Sequence, residues 1–184
     1  GTIEAGKLGK EYLHICRRQI ERFLKTQTGQ VALAGRRMAR SMAEGGMVWI
    51  ITNAHIHPHG SIIPRELPSM QNFGREYHWW NRIRRMRKGD MLLWLGYLRP
   101  SAQPVRAALS RGADAVTLWV DPGPTTDRQV HIRSCWKDFD TVIDLPDYPI
   151  RVLPSSGTVG CPQWYAIMAE TLAAKRKTEQ QEIE

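Results

Sequence analysis

Three histidines at alternate positions, His55, His57 and His59, and the acidic Glu66 that follows them are the side chains of this sequence best suited to move a proton or hold a metal. An imidazole titrating near neutrality, or a carboxylate, acts as a general base when it can reach the proton it removes. His55, His57 and Glu66 are therefore the candidate catalytic groups. In an extended segment the alternate spacing puts three imidazoles on one face, within reach of a transition metal. Pro58 interrupts that extension and no fourth ligand follows nearby, so ordinary loop histidines are preferred and no metal or cofactor is assigned.

A second group, Ser155, Ser156 and Thr158, stands just before a helical pattern. Hydroxyls there converge with backbone N–H groups at the positive end of a helix dipole, an arrangement that suits an anion. The plainer role is helix capping. Gln163, about one turn further on, could reach a hydroxyl of a ligand held there, whereas Trp164 and Tyr165 read as packing residues. A third group, Phe73 to Lys88, mixes Tyr77, Trp79 and Trp80 with Arg75, Arg82, Arg84, Arg85, Arg87 and Lys88. Nucleic-acid surfaces use that combination. With no recognised nucleic-acid motif beside it, the preferred reading is an aromatic side packed in a core or dimer interface while the arginines face water and steer anionic ligands.

The elements that must position these groups follow from hydrophobic spacing. Leu8 to Leu24 is amphipathic, Lys25 to Gly29 is a polar break, and a second helical stretch carries Val31, Met38 and Met42 before stopping at Gly45-Gly46. Short apolar, β-branched runs at Met47–Thr52, Met91–Leu95 and Ala115–Val120 predict strands buried on both faces. Between them, Asn53 to Pro68 is predicted as loop, Ser69 to Lys88 as partly helical, and a helix opens at Pro100-Ser101 and stops at Gly112. Val130–Arg133 is an edge-strand candidate, Thr141–Leu145 and Ile150–Leu153 are further short apolar runs, and a last helix spans Gly160–Lys175 before a charged tail. The alternation predicts an α/β fold: a three-layer, flavodoxin-like sandwich with a mostly parallel five-stranded sheet, preceded by N-terminal helices. In one domain of residues 1–184, residues 1–45 hold those helices, 46–175 the α/β core and 176–184 the tail. Ligands of such sheets sit outside the carboxyl ends of the strands, which directs attention to the loops after Thr52, Leu95 and Leu153.

The chain has 184 residues, 42% of them hydrophobic, and a net charge of +8 that favours anionic partners. No apolar run approaches the roughly 20 residues of a membrane helix, and nothing at the start reads as a secretory signal, so a cytoplasmic protein without a membrane partner is expected. Cys16, Cys135 and Cys161 are odd in number and widely spaced, as expected of reduced thiols rather than a disulfide framework.

Three segments resemble the sugar isomerase (SIS) family, and within it the small phosphosugar-binding proteins related to phosphoheptose isomerases, over nearly the whole stretch from Tyr12 to Leu172. Ala43–His57 (AEGGMVWIITNAHIH) is similar to the family's Gly-Gly, strand and Gly-x-Gly-His-Ser-His loop, with His55 and His57 on its two histidines. Met91–Val120 resembles the second strand, the Ser-x-Ser-Gly phosphate loop and the helix and strand that follow. Here Gly96, Tyr97, Leu98 and Arg99 stand in place of the loop. Leu153–Leu172 is similar to the third, Ser/Thr-containing loop and last helix, with Ser155, Ser156 and Thr158 retained.

A phosphate loop binds through N–H groups at a helix start and through hydroxyls. Leu98 offers only its N–H, but Arg99 can supply a bidentate contact and Ser101 keeps a hydroxyl in range. The resemblance implies a sugar phosphate or similar anionic small molecule held by Thr52, Asn53, Arg99, Ser101, Ser155, Ser156, Thr158 and Gln163. It further implies a homodimer or homotetramer with the site shared between subunits, and aldose–ketose isomerisation in catalytic members. Two readings stay open: a phosphosugar-binding protein that is an isomerase if it is an enzyme, and a noncatalytic sensing or interaction protein with a degenerate site. Nucleic-acid binding ranks third.

Overall fold

In a computed structural model, the described residues are 3–52, 63–75, 79–96, 102–120, 126–136, 141–145 and 147–181. Five strands, β1 (Val48–Thr52), β2 (Met70–Arg75), β3 (Met91–Leu95), β4 (Asp114–Trp119) and β5 (Gln129–Arg133), form one sheet in the order β2-β1-β3-β4-β5. Every pairing in it is parallel. This is the 2-1-3-4-5 order of flavodoxin-like folds. Helices α1 (Lys7–Ala43) and α4 (Ser156–Gln181) pack with one face of the sheet through Ile50, Leu93, Val116 and Ile132. The short α2 (Trp79–Ile83) and α3 (Gln103–Ser110) pack with Ile51, Leu92, Trp94 and Ala115 on the other. Successive side chains of β3 thus enter two different cores, which is why the run MLLWL is apolar throughout.

The expected pair of N-terminal helices is a single 37-residue helix. The polar stretch Lys25 to Gly29 does not break it, because Phe23 before it and Val31, Ala34 and Met38 after it are buried in the same core. Thr26 adds a bond from its hydroxyl to the Arg22 carbonyl one turn back, at 2.7 Å. One helical glycine costs only about 1 kcal/mol against alanine, less than that burial supplies. Where α1 crosses α4, Gly35 is required: a Cβ there would lie 2.7 Å from the Glu170 carbonyl carbon.

Three further differences bear on the site. Residues 70–75, placed in a partly helical stretch by the sequence, form edge strand β2 before α2 begins. The runs near Ile143 and Val152 pair with each other as an antiparallel hairpin, β6 (Thr141–Asp144) and β7 (Arg151–Pro154), outside the main sheet. Leu153 is therefore not at the carboxyl end of a parallel strand. It occurs at φ 59°, in the left-handed region, just ahead of α4. Finally, α4 starts earlier than predicted and runs through Gln181, with Lys175 paired to Glu179 at 2.7 Å.

Asp90 ties the amino ends of β1 and β3 together. It is 2% exposed, and its carboxylate accepts from the Met47 N–H at 3.0 Å, the Trp49 indole N–H at 2.9 Å and the Arg87 N–H at 3.0 Å. The Ser41 hydroxyl donates to the neighbouring Gly89 carbonyl at 2.7 Å, an approach possible only because position 46 is glycine. Asp90→Ala leaves three donors without their acceptor. Hydrogen bonds to a charged group are worth about 1.5–3 kcal/mol each and are not additive, so a loss of about 3 kcal/mol is expected in urea unfolding. A change below about 1 kcal/mol would show that the cluster is dispensable.

Candidate functional site

In a 2-1-3-4-5 sheet the connections leave in opposite directions from the two central strands, here β1 and β3, and open a crevice beyond their carboxyl ends. β1 ends there in buried Thr52, β3 in Leu95, β4 in Trp119 and β5 in Arg133. The first turn of α4 lies at the β4–β5 side of this edge: its Val159 packs with Cys16 of α1 and with Trp136, and Val120, the residue after β4, joins the same cluster.

The local sequence explains that turn. The Ser155 carbonyl accepts the Val159 N–H at 2.9 Å, so Ser155 caps the helix, and the first-turn N–H groups after it have no partner within the helix. Ser155 and Ser156 are fully buried. Thr158 is exposed, and its hydroxyl lies 2.7 Å from the Tyr12 hydroxyl, which itself donates to the Pro154 carbonyl at 2.9 Å. With the tyrosine proton committed to Pro154, Thr158 is the donor of the pair. An anion that takes a hydrogen bond from Thr158 must draw that proton away from Tyr12.

Gln163 turns inward. It is 1% exposed, and its side-chain N–H group donates to the Ser134 carbonyl, tying α4 to the residue after β5. The Gln163 carbonyl oxygen and the Ser134 hydroxyl are buried without a hydrogen-bond partner among the described residues. A buried polar group with unmet capacity is uncommon, and two side by side mark a spot able to take a further polar group.

Glu66 is elsewhere. It is exposed in the turn before β2, and the segment after it lines a cleft: Pro68 and Ser69 face Lys175, Thr178 and Glu179 of α4. Thr178 is roughly 30 Å of helical rise from Ser156 at 1.5 Å per residue. Within one chain, Glu66 is not brought to a ligand at the start of α4. Asn53, His55, His57, His59, Arg99 and Ser101 lie outside the described residues.

The sequence reading did not assign Tyr12 or Ser134 to this edge. Tyr12 is indistinguishable from the other apolar positions of its helix, and its partners lie more than a hundred residues away in sequence. Ser134 had a signal, a small polar residue directly after an apolar strand. At the opposite, amino edge, an open cavity of about 640 Å³ is lined by Arg37, Arg40, Lys88, Arg128 and several carboxylates. Its arginines are engaged: Arg40 with Glu44 at 2.7 Å, Arg128 with Asp114 at 2.8 Å, and Arg37 with the Asp127 carbonyl at 2.8 Å. Among the described residues no cluster of His, Cys, Asp and Glu is arranged to hold a metal, and no helix is long and apolar enough to cross a membrane.

The architecture and the position of its crevice are those of a doubly wound α/β domain. Comparison with solved structures narrows this to the sugar isomerase domain fold. A phosphoheptose isomerase from Neisseria gonorrhoeae superposes with a TM-score of 0.62 at 13% identity, covering 93% of this chain and 99% of that one. One from Francisella tularensis gives 0.63 at 10% identity, covering 95% and 100%. The sugar isomerase domain of an RpiR transcription factor from Sphaerobacter thermophilus gives 0.57 at 11% identity, covering 95% and 99%. No protein-family model and no curated protein matches the sequence. At this identity the likeness is one of fold.

The three thiols are free and differ in setting. Burial pushes the Cys16 and Cys135 thiols above the usual range, while Cys161 is half-exposed on α4. The thiolate is the reactive form, so a chromogenic disulfide reagent near pH 8 should titrate Cys161 first and the other two only on unfolding. Rapid native labelling of Cys16 would indicate that the packing of Val159 and Trp136 over it opens in solution.

Proposed function

We propose that this chain binds a phosphorylated sugar, or a similar anionic small molecule, at the carboxyl edge of its sheet. The observation that carries the reading is the start of α4: a serine-capped first turn with Ser156 and Thr158, set at the end of the sheet where α/β folds of this order hold ligands. Two of the similar folds belong to phosphoheptose isomerases and one to a transcription factor's sugar isomerase domain, which supports a sugar phosphate over other anions. In this reading Thr52, Asn53, Arg99, Ser101, Ser155, Ser156 and Thr158 surround the ligand. Gln163 meets a ligand hydroxyl through its unpartnered carbonyl oxygen. The site is completed in a homodimer or homotetramer.

Two roles for that site are separable. As an isomerase, the chain uses His55 or His57 to carry a proton between neighbouring sugar carbons, and Glu66 contributes only if it reaches the site of another subunit. As a noncatalytic sensor, it needs binding alone. The burial of both serines and the engaged Thr158 proton mean that a ligand must first rearrange these groups, a cost that both roles share.

Thermal unfolding against a panel of hexose, heptose and amino-sugar phosphates tests binding. A ligand at about 100 times its Kd adds about 2.7 kcal/mol, expected to raise the midpoint by roughly 5–10 °C for a chain of this length. The shift should vanish in Ser156→Ala/Thr158→Ala and persist in Glu66→Gln. No shift with any sugar phosphate at millimolar concentration would overturn the binding reading. Where a ligand is found, turnover abolished by His55→Ala or His57→Ala would assign the isomerase role, and tight binding without turnover the sensing role.

A further inference from the structure

We infer that the outer face formed by α2, the turn after it and α3 is a binding surface for single-stranded nucleic acid, a property independent of the sugar-phosphate reading. Arg84, Arg85, Arg87, Arg106 and Arg111 are exposed on this face, and exposed Lys88 stands at its rim, where it also lines the amino-edge cavity. Residues 79–89 and 102–113, which build it, contain no Asp or Glu. Elsewhere the arginines that meet a carboxylate do so at close range: Arg17 with Glu21, Arg40 with Glu44 and Arg151 with Asp144, each at 2.7 Å. None of the six has a carboxylate partner among the described residues. Two contacts join the helices into one surface. The Arg111 guanidinium donates to the Arg84 carbonyl at 3.2 Å, and Gly112 lies so close to Lys88 that a Cβ would come within 3.1 Å of its side chain.

The aromatic pair supplies what charge alone does not. Trp79 is 7% exposed and packs into the core with Ile83 and Trp94, as the sequence led one to expect of the aromatic side. Trp80 does not follow it inward. It is 53% exposed and stacks on Trp79 with centroids 3.8 Å apart and planes 25° apart. A ring fixed to the core on one side and open on the other is a stacking platform. Bases stack on such platforms irrespective of sequence, and unpaired arginines and lysines beside them neutralise the backbone.

A duplex keeps its base faces stacked inside and would leave Trp80 unused. An acidic membrane surface fits less well, because binding in a bilayer interface takes a continuous apolar face. Among the described residues Trp80 is the exposed large hydrophobic side chain of this surface; the others, such as Leu13, Tyr148 and Tyr165, belong to α1, the hairpin and α4.

Fluorescence anisotropy of the full chain with a labelled oligothymidylate of about twenty nucleotides tests this. Binding should be on the order of micromolar at about 50 mM salt and weaken roughly 100-fold by about 200 mM, as five phosphate contacts on a single strand give. Trp80→Ala should lower affinity about 10-fold with the salt dependence kept. Arg84→Gln/Arg85→Gln/Lys88→Gln should lower it at least as far and flatten the salt dependence, while Arg18→Gln on α1 changes neither. The glutamine changes are at exposed positions, so they report even if Trp80→Ala weakens the fold. Absence of binding at low salt overturns the inference, as does equal loss in Arg18→Gln. So does heparin bound as tightly as the oligonucleotide with no effect of Trp80→Ala, which would mean a surface for polyanions in general. Binding to phosphatidylcholine vesicles containing about one-third phosphatidylserine, without oligonucleotide binding, would assign the face to membranes instead. Loss of self-association in Trp80→Ala, again without oligonucleotide binding, would assign it to a second copy of the chain.

Discussion

The carboxylate of Asp90 sits where the order of the sheet turns back on itself, and the rest of the fold is arranged around what it holds. A parallel sheet has no tight turns to set its register, so β1 and β3, separated by the whole of β2 and α2, must be aligned by tertiary contacts. Asp90 does this from one end: it takes the N–H just ahead of β1, the indole of Trp49 in β1 and the N–H of Arg87 in the turn leading to β3. The close contact of Gly46 with the Gly89 carbonyl leaves little slack in the same direction. Since a slip of one residue would exchange the two faces of β1, aligning this pair also fixes which side chains meet α1 and α4 and which meet α2 and α3.

Segments buried on both faces were the most legible in the sequence, because nothing but continuous hydrophobicity satisfies two cores at once. MVWIIT, MLLWL and AVTLWV all proved to be strands of the sheet, and the last helix fell where Trp164, Ile167 and Met168 predicted it. The strand MQNFGR was not legible, since an edge strand has one neighbour and needs neither alternation nor high β-propensity along its whole length. The continuity of α1 was hidden for a related reason. A helix held by a partner tolerates a local stretch of poor formers, and that partner, α4, is more than a hundred residues further along the chain.

For the candidate site the same division holds. The clustered hydroxyls at Ser155, Ser156 and Thr158 were visible because their chemistry and their place before a helix coincide in a short window. What such a window cannot reveal is direction: the inward turn of Gln163, the hydrogen bond that commits Thr158 to Tyr12, or the placement of Glu66 toward the far end of α4. Each of these depends on where α1, β5 or α4 lies relative to the segment, and so on the packing of the whole sheet.

The excess positive charge can be placed with respect to this frame. Arg84, Arg85, Arg87 and Lys88 precede the amino end of β3, and Arg111 precedes that of β4, in the layer of α2 and α3. The first turn of α4 is in the other helical layer, at the carboxyl edge. Between them lies the sheet itself, and exposed charges more than a Debye length apart, about 10 Å at 0.1 M salt, are largely screened from one another. The cationic face therefore contributes little to holding a small anion at the start of α4, where N–H groups and hydroxyls must do so at contact distance. What the face can hold is an anion long enough to touch several arginines at once, and the exposed ring of Trp80 within it gives such a polymer something to stack on besides charge.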